Sequence, residues 1–178
     1  LHLHEGTVSN CVVTGSSCAS HVTQPVAVTG GLMTHTTIRD NAYTTTGRGC
    51  QGLWISDGVF AHGAVLRNTI PLKNSDQATA DGVVIKGGTV RDSIIEGNSG
   101  GANSTAISMF AAGVRMEGGT LERCIVQNNV NQSASQAKHA GGVTASAGTI
   151  RNCLIAGNSA ATTSADSAGG LYVSSKNV

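Results

Sequence analysis

The sequence predicts an all-β protein, a right-handed parallel β-helix of about six coils, from three observations. A short motif recurs through the 178 residues at spacings of 25 to 31 residues. Each copy alternates apolar and polar residues, which is typical of a strand with one buried face. Glycine is abundant, with 24 residues, and only 12% of the chain is charged, so thin regular layers are favoured over a mixed α/β core.

The first element of each repeat is a short strand. Its copies are PVAVTG from Pro25, GLWISD from Gly52, GVVIKG from Gly82, GVRMEG from Gly113, GVTASA from Gly142 and the incomplete GLYVSSKNV from Gly170. The period-two alternation predicts that Val83 and Ile85 point inward and that the residue between them points outward.

The second element begins six residues after the first. Its copies are GTVSNCVVTGS from Gly6, GLMTHTTIRDN from Gly31, GVFAHGAVLRN from Gly58, GTVRDSIIEGN from Gly88, GTLERCIVQNN from Gly119 and GTIRNCLIAGN from Gly148. We expect Val90, Ser93 and Ile95 to face inward, on two short runs with a bend between them. A loop of variable length, rich in Ser, Thr, Ala and Gly, follows each copy. A helix is disfavoured because glycine within each unit would cost about 1 kcal/mol.

Two motifs in these repeats resemble a known family. A GG-aliphatic motif, as in Gly141-Gly142-Val143, is paired with an aliphatic-x-x-Asn motif ending at Asn41, Asn68, Asn98, Asn129 and Asn158. Together they resemble the repeats of the chlamydial polymorphic membrane proteins, and similar repeats occur in β-helical surface proteins of related environmental bacteria. The resemblance covers essentially the whole chain. It implies a secreted passenger or stalk at the bacterial cell surface that acts in adhesion.

The pattern predicts a single β-helix segment over residues 1–178, cut within a repeat at both ends. Leu1 and Leu3 take the same coil positions as Leu171 and Val173, so open strand edges are expected at both ends. Open edges recruit other strands. We therefore expect either continuation in a longer protein or end-to-end self-association into a filament, through edges 1–8 and 170–178.

Charge and composition exclude several classes of partner. The net charge is +1 and Lys and Arg are not clustered, which predicts no nucleic-acid partner. No stretch approaches the ~18 apolar residues of a membrane span. At one outward position, Arg91, Glu122 and Arg151 alternate in sign from coil to coil, which leaves no pair of carboxylates for acid-base catalysis. We expect a non-catalytic protein, and the alternative is a carbohydrate-active lyase or hydrolase whose site lies outside this segment.

The remaining polar residues favour structural roles, without a catalytic, cofactor or metal site. The repeated Asn is expected to form a hydrogen-bonded ladder along the coils. Histidines such as His35 and His62, which share one coil position, lack a third ligand for a metal. Cys11, Cys124 and Cys153 occupy an inward slot for small residues. In contrast, Cys18 and Cys50 lie in the loops of neighbouring coils and are candidates for a disulfide.

One outward row is apolar in three consecutive coils, where it consists of Ile94, Ile125 and Leu154. Two interpretations are open. The long loops 99–112 and 130–141 could cover the row, or the row could contact a partner. The function predicted from all these features is an extracellular β-helix stalk or adhesin segment, whose receptor or glycan the sequence does not identify.

Overall fold

The computed structural model describes residues 1–18, 24–43, 52–69, 82–100, 109–132, 138–161 and 167–174. Every regular element in these ranges is a strand, and the strands pair in parallel. The predicted all-β parallel β-helix is therefore confirmed.

The strands in chain order are β1 (His2–Leu3), β2 (Thr7–Ser9), β3 (Val12–Thr14), β4 (Ser17–Cys18), β5 (Val26–Thr34), β6 (Thr37–Arg39), β7 (Ala42–Tyr43), β8 (Leu53–Ala61), β9 (Ala64–Leu66), β10 (Val83–Ile85), β11 (Thr89–Arg91), β12 (Ile94–Glu96), β13 (Ser99–Gly100), β14 (Met109–Ala111), β15 (Val114–Glu122), β16 (Ile125–Gln127), β17 (Val130–Asn131), β18 (Lys138–Ala140), β19 (Val143–Arg151), β20 (Leu154–Ala156), β21 (Ser159–Ala160), β22 (Ser167–Ala168) and β23 (Leu171–Val173).

These strands stack into sheets that run along the coil axis. Sheet A follows the order β1-β5-β8-β10-β15-β19-β23. Its two further strands are β2, which pairs with β5, and β11, which pairs with β8 and β15. Sheet B follows the order β20-β16-β12-β9-β6-β3. Three shorter sheets are β13-β17-β21, β14-β18-β22 and β4-β7.

The number of coils is slightly lower than expected. Sheet B takes one strand from each of six repeats, but its two outermost strands have a neighbour on one side. The four inner strands, β6, β9, β12 and β16, pair on both sides. Counting only coils that have a neighbouring coil on both sides, the described residues form about four turns. The sequence predicted about six.

The inward rows form the core. Val83, Ile85, Val90 and Ile95 are fully buried and Ser93 is 3% exposed, as the alternation predicted. Among the described residues, the largest fully buried side chain is Phe60, and a Cβ placed on Gly63 would lie 2.4 Å from its ring. The small residue at Gly63 therefore makes room for the ring of Phe60 in that coil.

Each repeat has three residues in the left-handed region: the glycine that opens the second element, such as Gly88, and one residue at each of two later bends. At the first bend φ is 49–56° for Asn10, His35, His62, Asp92, Arg123 and Asn152. At the second bend the residues are Asp40, Arg67 and Asn128, or the glycines Gly15, Gly97 and Gly157. A single left-handed residue turns the chain sharply, so these positions separate sheet A from sheet B and sheet B from the strand that follows.

The predicted ladder of asparagines is present at the second bend. Between successive ladder residues, from Asn41 to Asn158, the side-chain amide donates to the next Oδ1 at 2.9–3.0 Å. The ladder packs against the glycines of the first element. A Cβ on Gly113 would lie 2.4 Å from the carbonyl oxygen of Gly142 and 3.0 Å from Nδ2 of Asn129. This close packing explains why the glycine motif and the asparagine motif occur together.

Two local expectations are corrected. Val84 and Thr144 point outward from sheet A, as predicted, but they are buried, with exposures of 1% and 0%, and Val84 packs against Trp54. The segments expected as loops 99–112 and 130–141 contain paired strands at both ends. Stacking in register gives those residues backbone partners that a single repeat cannot provide.

Candidate functional site

The structure brings the three residues of the predicted partner surface together on the outer face of sheet B. Ile94 pairs with Ile125, and Ile125 pairs with Leu154, on adjacent strands in register. Ile94 is 40% exposed and Leu154 is 54% exposed, while Ile125 is half-buried. We call these three residues the sheet B stripe. Its two outer members are exposed among the described residues, and much of the two loops that the first interpretation invokes lies outside those residues.

The predicted disulfide between Cys18 and Cys50 stays a prediction. The backbone of Cys18 lies in β4, which pairs with β7. Its side chain and the whole of Cys50 lie outside the described residues.

The predicted strand edges also stay a prediction as sites of self-association. In sheet A, β1 pairs with β5 and β23 pairs with β19. Leu1, which precedes β1, and Leu171 and Val173 in β23 are exposed, so apolar side chains are available at both edges.

A column of short polar side chains follows the first bend in successive coils. Its described donors are Cys11, Thr36, Ser93, Cys124 and Cys153. Each donates its hydroxyl or thiol hydrogen to the backbone carbonyl two residues earlier, at 2.7–3.3 Å. We call this set the corner column. It explains why the inward slot takes Cys, Ser or Thr, since each adds a side-chain hydrogen bond to the carbonyl at the bend. In the column from Thr36 onward, that carbonyl also accepts a backbone N–H from the neighbouring coil.

Two members of the corner column, Cys124 and Cys153, are adjacent thiols that interact directly. The backbone N–H of Cys124 donates to Sγ of Cys153 at 3.5 Å. The hydrogen bond from the Cys124 thiol lowers the pKa of Cys153 to about 6, against the opposing effect of burial. The same hydrogen bond, together with burial, raises the pKa of Cys124. The two pKa shifts have opposite signs, so Cys153 is the more acidic thiol of the pair.

Sequence reasoning identified both cysteines as core thiols but missed the contact between them. The available signal was their spacing, because 29 residues separate both the two cysteines and the repeat glycines Gly119 and Gly148. Residues separated by one repeat are neighbours in a stacked coil.

The predicted alternation of charge produces ion pairs between coils. Arg123 donates two hydrogen bonds to Asp92, at 2.7 and 3.1 Å, and these hold the pKa of Asp92 at about 2. Arg151 donates to Glu122 at 2.9 Å, and Glu122 also contacts Arg123. These four charges thus pair with each other along the stack, as the alternation predicted.

A similar ion pair links two coils at the second bend. Arg67 donates to both carboxylate oxygens of Asp40, at 2.9 and 3.1 Å. This bidentate contact lowers the pKa of Asp40. Asp40 also accepts a hydrogen bond from Arg39 at 2.8 Å, so its carboxylate is fully engaged.

The histidines form contacts with each other and with a threonine. The rings of His35 and His62 stack with centroids 5.3 Å apart and an interplanar angle of 22°. Nitrogens of His2 and His4 both lie within 3.1 Å of Oγ1 of Thr29. Within the described ranges, no group of three or more His, Cys, Asp or Glu residues is arranged to hold a metal ion.

Comparisons of the chain with protein-family models, with curated proteins and with solved structures find no match. In the described part of the chain, no helix has the length and apolar character required to cross a membrane.

Proposed function

We propose that the chain is a non-catalytic stalk or adhesin segment of an extracellular bacterial surface protein. One observation carries the proposal: polar side chains in the stack bond to their equivalents in the next coil. The amides of the asparagine ladder and the Asp92–Arg123 ion pair use their hydrogen-bonding groups in this way. Groups committed to each other stabilise a rod and have little capacity left for proton transfer.

The repeat motifs also support a surface role. Their resemblance to the repeats of chlamydial polymorphic membrane proteins favours an adhesive passenger or stalk. In such a molecule the coils provide length and stiffness, and the side chains on the outer faces and loops meet the partner.

The sheet B stripe is the proposed contact with a surface receptor. Ile94 and Leu154 expose apolar side chains on strands whose inner face already supplies the core. Covering such a side chain completely contributes on the order of 1.5–3 kcal/mol. Two or three covered side chains would therefore make a substantial contribution to binding.

Adhesion and catalysis are tested on the same preparation. Beads coated with the protein are incubated with host cells and with a panel of immobilised polysaccharides, and released sugars are measured in parallel. The proposal predicts attachment to at least one surface without release of sugar. Cleavage of a polysaccharide would overturn the non-catalytic assignment, and attachment no better than that of albumin-coated beads would overturn the adhesin assignment.

The stripe is tested by replacing Ile94, Ile125 and Leu154 with Thr, a β-branched residue that suits a strand. Val12→Thr is the matched control, because Val12 is exposed in the same row but lies outside the stripe. We expect the triple variant to lose attachment and the control to retain it, with unchanged circular dichroism in both. Unchanged attachment by a folded triple variant would show that the stripe is not the contact.

A further inference from the structure

The neighbouring thiols Cys124 and Cys153 are close enough to form a disulfide bond. They directly precede Ile125 and Leu154, which pair in register, and the N–H of Leu154 donates to the carbonyl of Cys124 at 2.9 Å. Paired strands lie about 4.8 Å apart. This spacing falls within the range of about 4.4–6.8 Å that disulfides span between Cα atoms.

The two thiols differ in exposure and in the hydrogen bonds that their sulfurs accept. Cys124 is 1% exposed, whereas Cys153 is half-buried and can be reached from solvent. Sγ of Cys153 accepts the backbone N–H of Cys124, a contact that favours a negative sulfur. The accessible sulfur is thus the more nucleophilic one, and the buried sulfur is held beside it as a thiol.

We propose that Cys153 and Cys124 form a thiol oxidation site for hydrogen peroxide, in which Cys153 reacts first and Cys124 closes a disulfide between coils. This function goes beyond a stalk or adhesin role and does not depend on it. An accessible thiolate beside a second thiol is the usual arrangement of a site that oxidises reversibly.

The chemistry proceeds in two balanced steps. The Cys153 thiolate attacks one peroxide oxygen, the O–O bond breaks and hydroxide leaves, which oxidises the sulfur to a sulfenic acid and reduces the peroxide. Sγ of Cys124 then attacks the sulfenic sulfur, its proton passes to the departing hydroxyl, and water leaves. The hydroxide takes up the proton that Cys153 lost on ionising, so two thiols and one peroxide give one disulfide and two waters.

Cys11 provides an internal comparison. Its thiol donates to the carbonyl two residues earlier at 3.3 Å, as the thiols of Cys124 and Cys153 do. The neighbouring coil carries Thr36 at this position, so Cys11 has no partner thiol in the column. It should reach a sulfenic acid without forming a disulfide in the column.

The charged groups beside the thiol pair are already paired with each other. Asp92 bonds to Arg123, and Glu122 bonds to Arg151. The interaction with Cys124 therefore remains the main cause of the lowered pKa of Cys153. At about pH 6, roughly half of Cys153 is thiolate, against well under 1% of an ordinary thiol of pKa about 8.5.

The expected rate advantage is smaller than this ratio because an acidic thiolate is a weaker nucleophile. With a Brønsted slope of about 0.4–0.5, Cys153 should react about tenfold faster than N-acetylcysteine at this pH. Reaction rates are measured with peroxide and dimedone, which traps sulfenic acid, followed by mass spectrometry of tryptic peptides. Trypsin separates the two sulfurs into peptides 124–138 and 152–176.

The wild-type protein should yield these two peptides joined by a disulfide. Cys124→Ser should leave Cys153 as a dimedone adduct and Cys153→Ser should leave Cys124 almost unreacted. Both variants should fold, because Ser93 already fills the same slot with the same carbonyl bond. Cys11→Ser is the matched control and should leave the disulfide yield unchanged.

Two results would overturn the proposal. One is a Cys153 rate no higher than that of N-acetylcysteine at about pH 6. The other is stepwise oxidation of both sulfurs to sulfinic acids in the folded wild-type protein, without the joined peptides.

Discussion

Replacing Asn98 with Ala removes the central amide of the asparagine ladder. Oδ1 of Asn98 accepts the backbone N–H and the side-chain amide of Asn68, both at 3.0 Å. Its own amide donates to Asn129 at 3.0 Å and to the carbonyl of Val65 at 3.1 Å. All of these groups are buried, so water cannot replace the lost partner without opening the coil.

The cost follows from the donors left without an acceptor. Asn98→Ala leaves the backbone N–H of Asn68 and one of its amide hydrogens unpaired. Each buried unpaired donor costs about 1–3 kcal/mol, and relaxation of the neighbouring coils recovers part of the sum. We therefore expect the free energy of unfolding to fall by about 3 kcal/mol, which is a large part of the stability of an ordinary domain.

Urea denaturation measures this loss, followed by far-UV circular dichroism and by the fluorescence of Trp54, the single tryptophan. Gln132→Ala is the control, because it removes an exposed amide with one hydrogen bond, to Ser99 at 3.1 Å. The control should change stability by no more than about 0.5 kcal/mol. If Asn98→Ala lowers stability by less than about 1 kcal/mol, the buried ladder is not the stabilising feature inferred here.

Two further predictions concern the glycines and the ion pairs. Gly113→Ala should cost about 3 kcal/mol, because its Cβ would lie 2.4 Å from a backbone oxygen. Gly15→Ala should cost about 1 kcal/mol, because nothing lies within 4 Å of its Cβ and only its φ of +64° is unfavourable; equal losses in urea would contradict this distinction. Since Arg123 lowers the pKa of Asp92 to about 2, the ionised carboxylate stabilises the folded state above the ordinary pKa of about 3.9, and this stability is lost as the pH falls through about 2. Asp92→Asn should therefore flatten the decline in urea midpoint over this interval, and a decline as steep as in the wild type would argue against the contribution.

Much of the fold was predictable because a stacked repeat converts a sequence interval into a spatial contact. Once the repeat length was known, Asn98 had to lie beside Asn129, and Asp92 beside Arg123. The alternation of apolar residues then identified the inward rows, including Val83 and Ile85. These features depend on local pattern and on register, and both can be read along the chain.

For the sheet B stripe, the sequence predicted which residues lie side by side. Ile94, Ile125 and Leu154 were expected in one outward row and lie on paired strands. Their exposure could not be predicted, because it depends on where the rest of the chain packs against sheet B. The disulfide proposed for Cys18 and Cys50 rests on sequence alone.

The sequence by itself determined the all-β repeat architecture, the ladder and the alternating charges. Only the tertiary structure decided that the outward side chain of Val84 is buried, and that the backbone N–H of Cys124 donates to the sulfur of Cys153. Burial depends on every group that packs around a side chain, and a hydrogen bond depends on the distance and direction between donor and acceptor. Periodicity identifies which residues are neighbours, whereas the chemistry between those neighbours is set by the geometry of the folded coil.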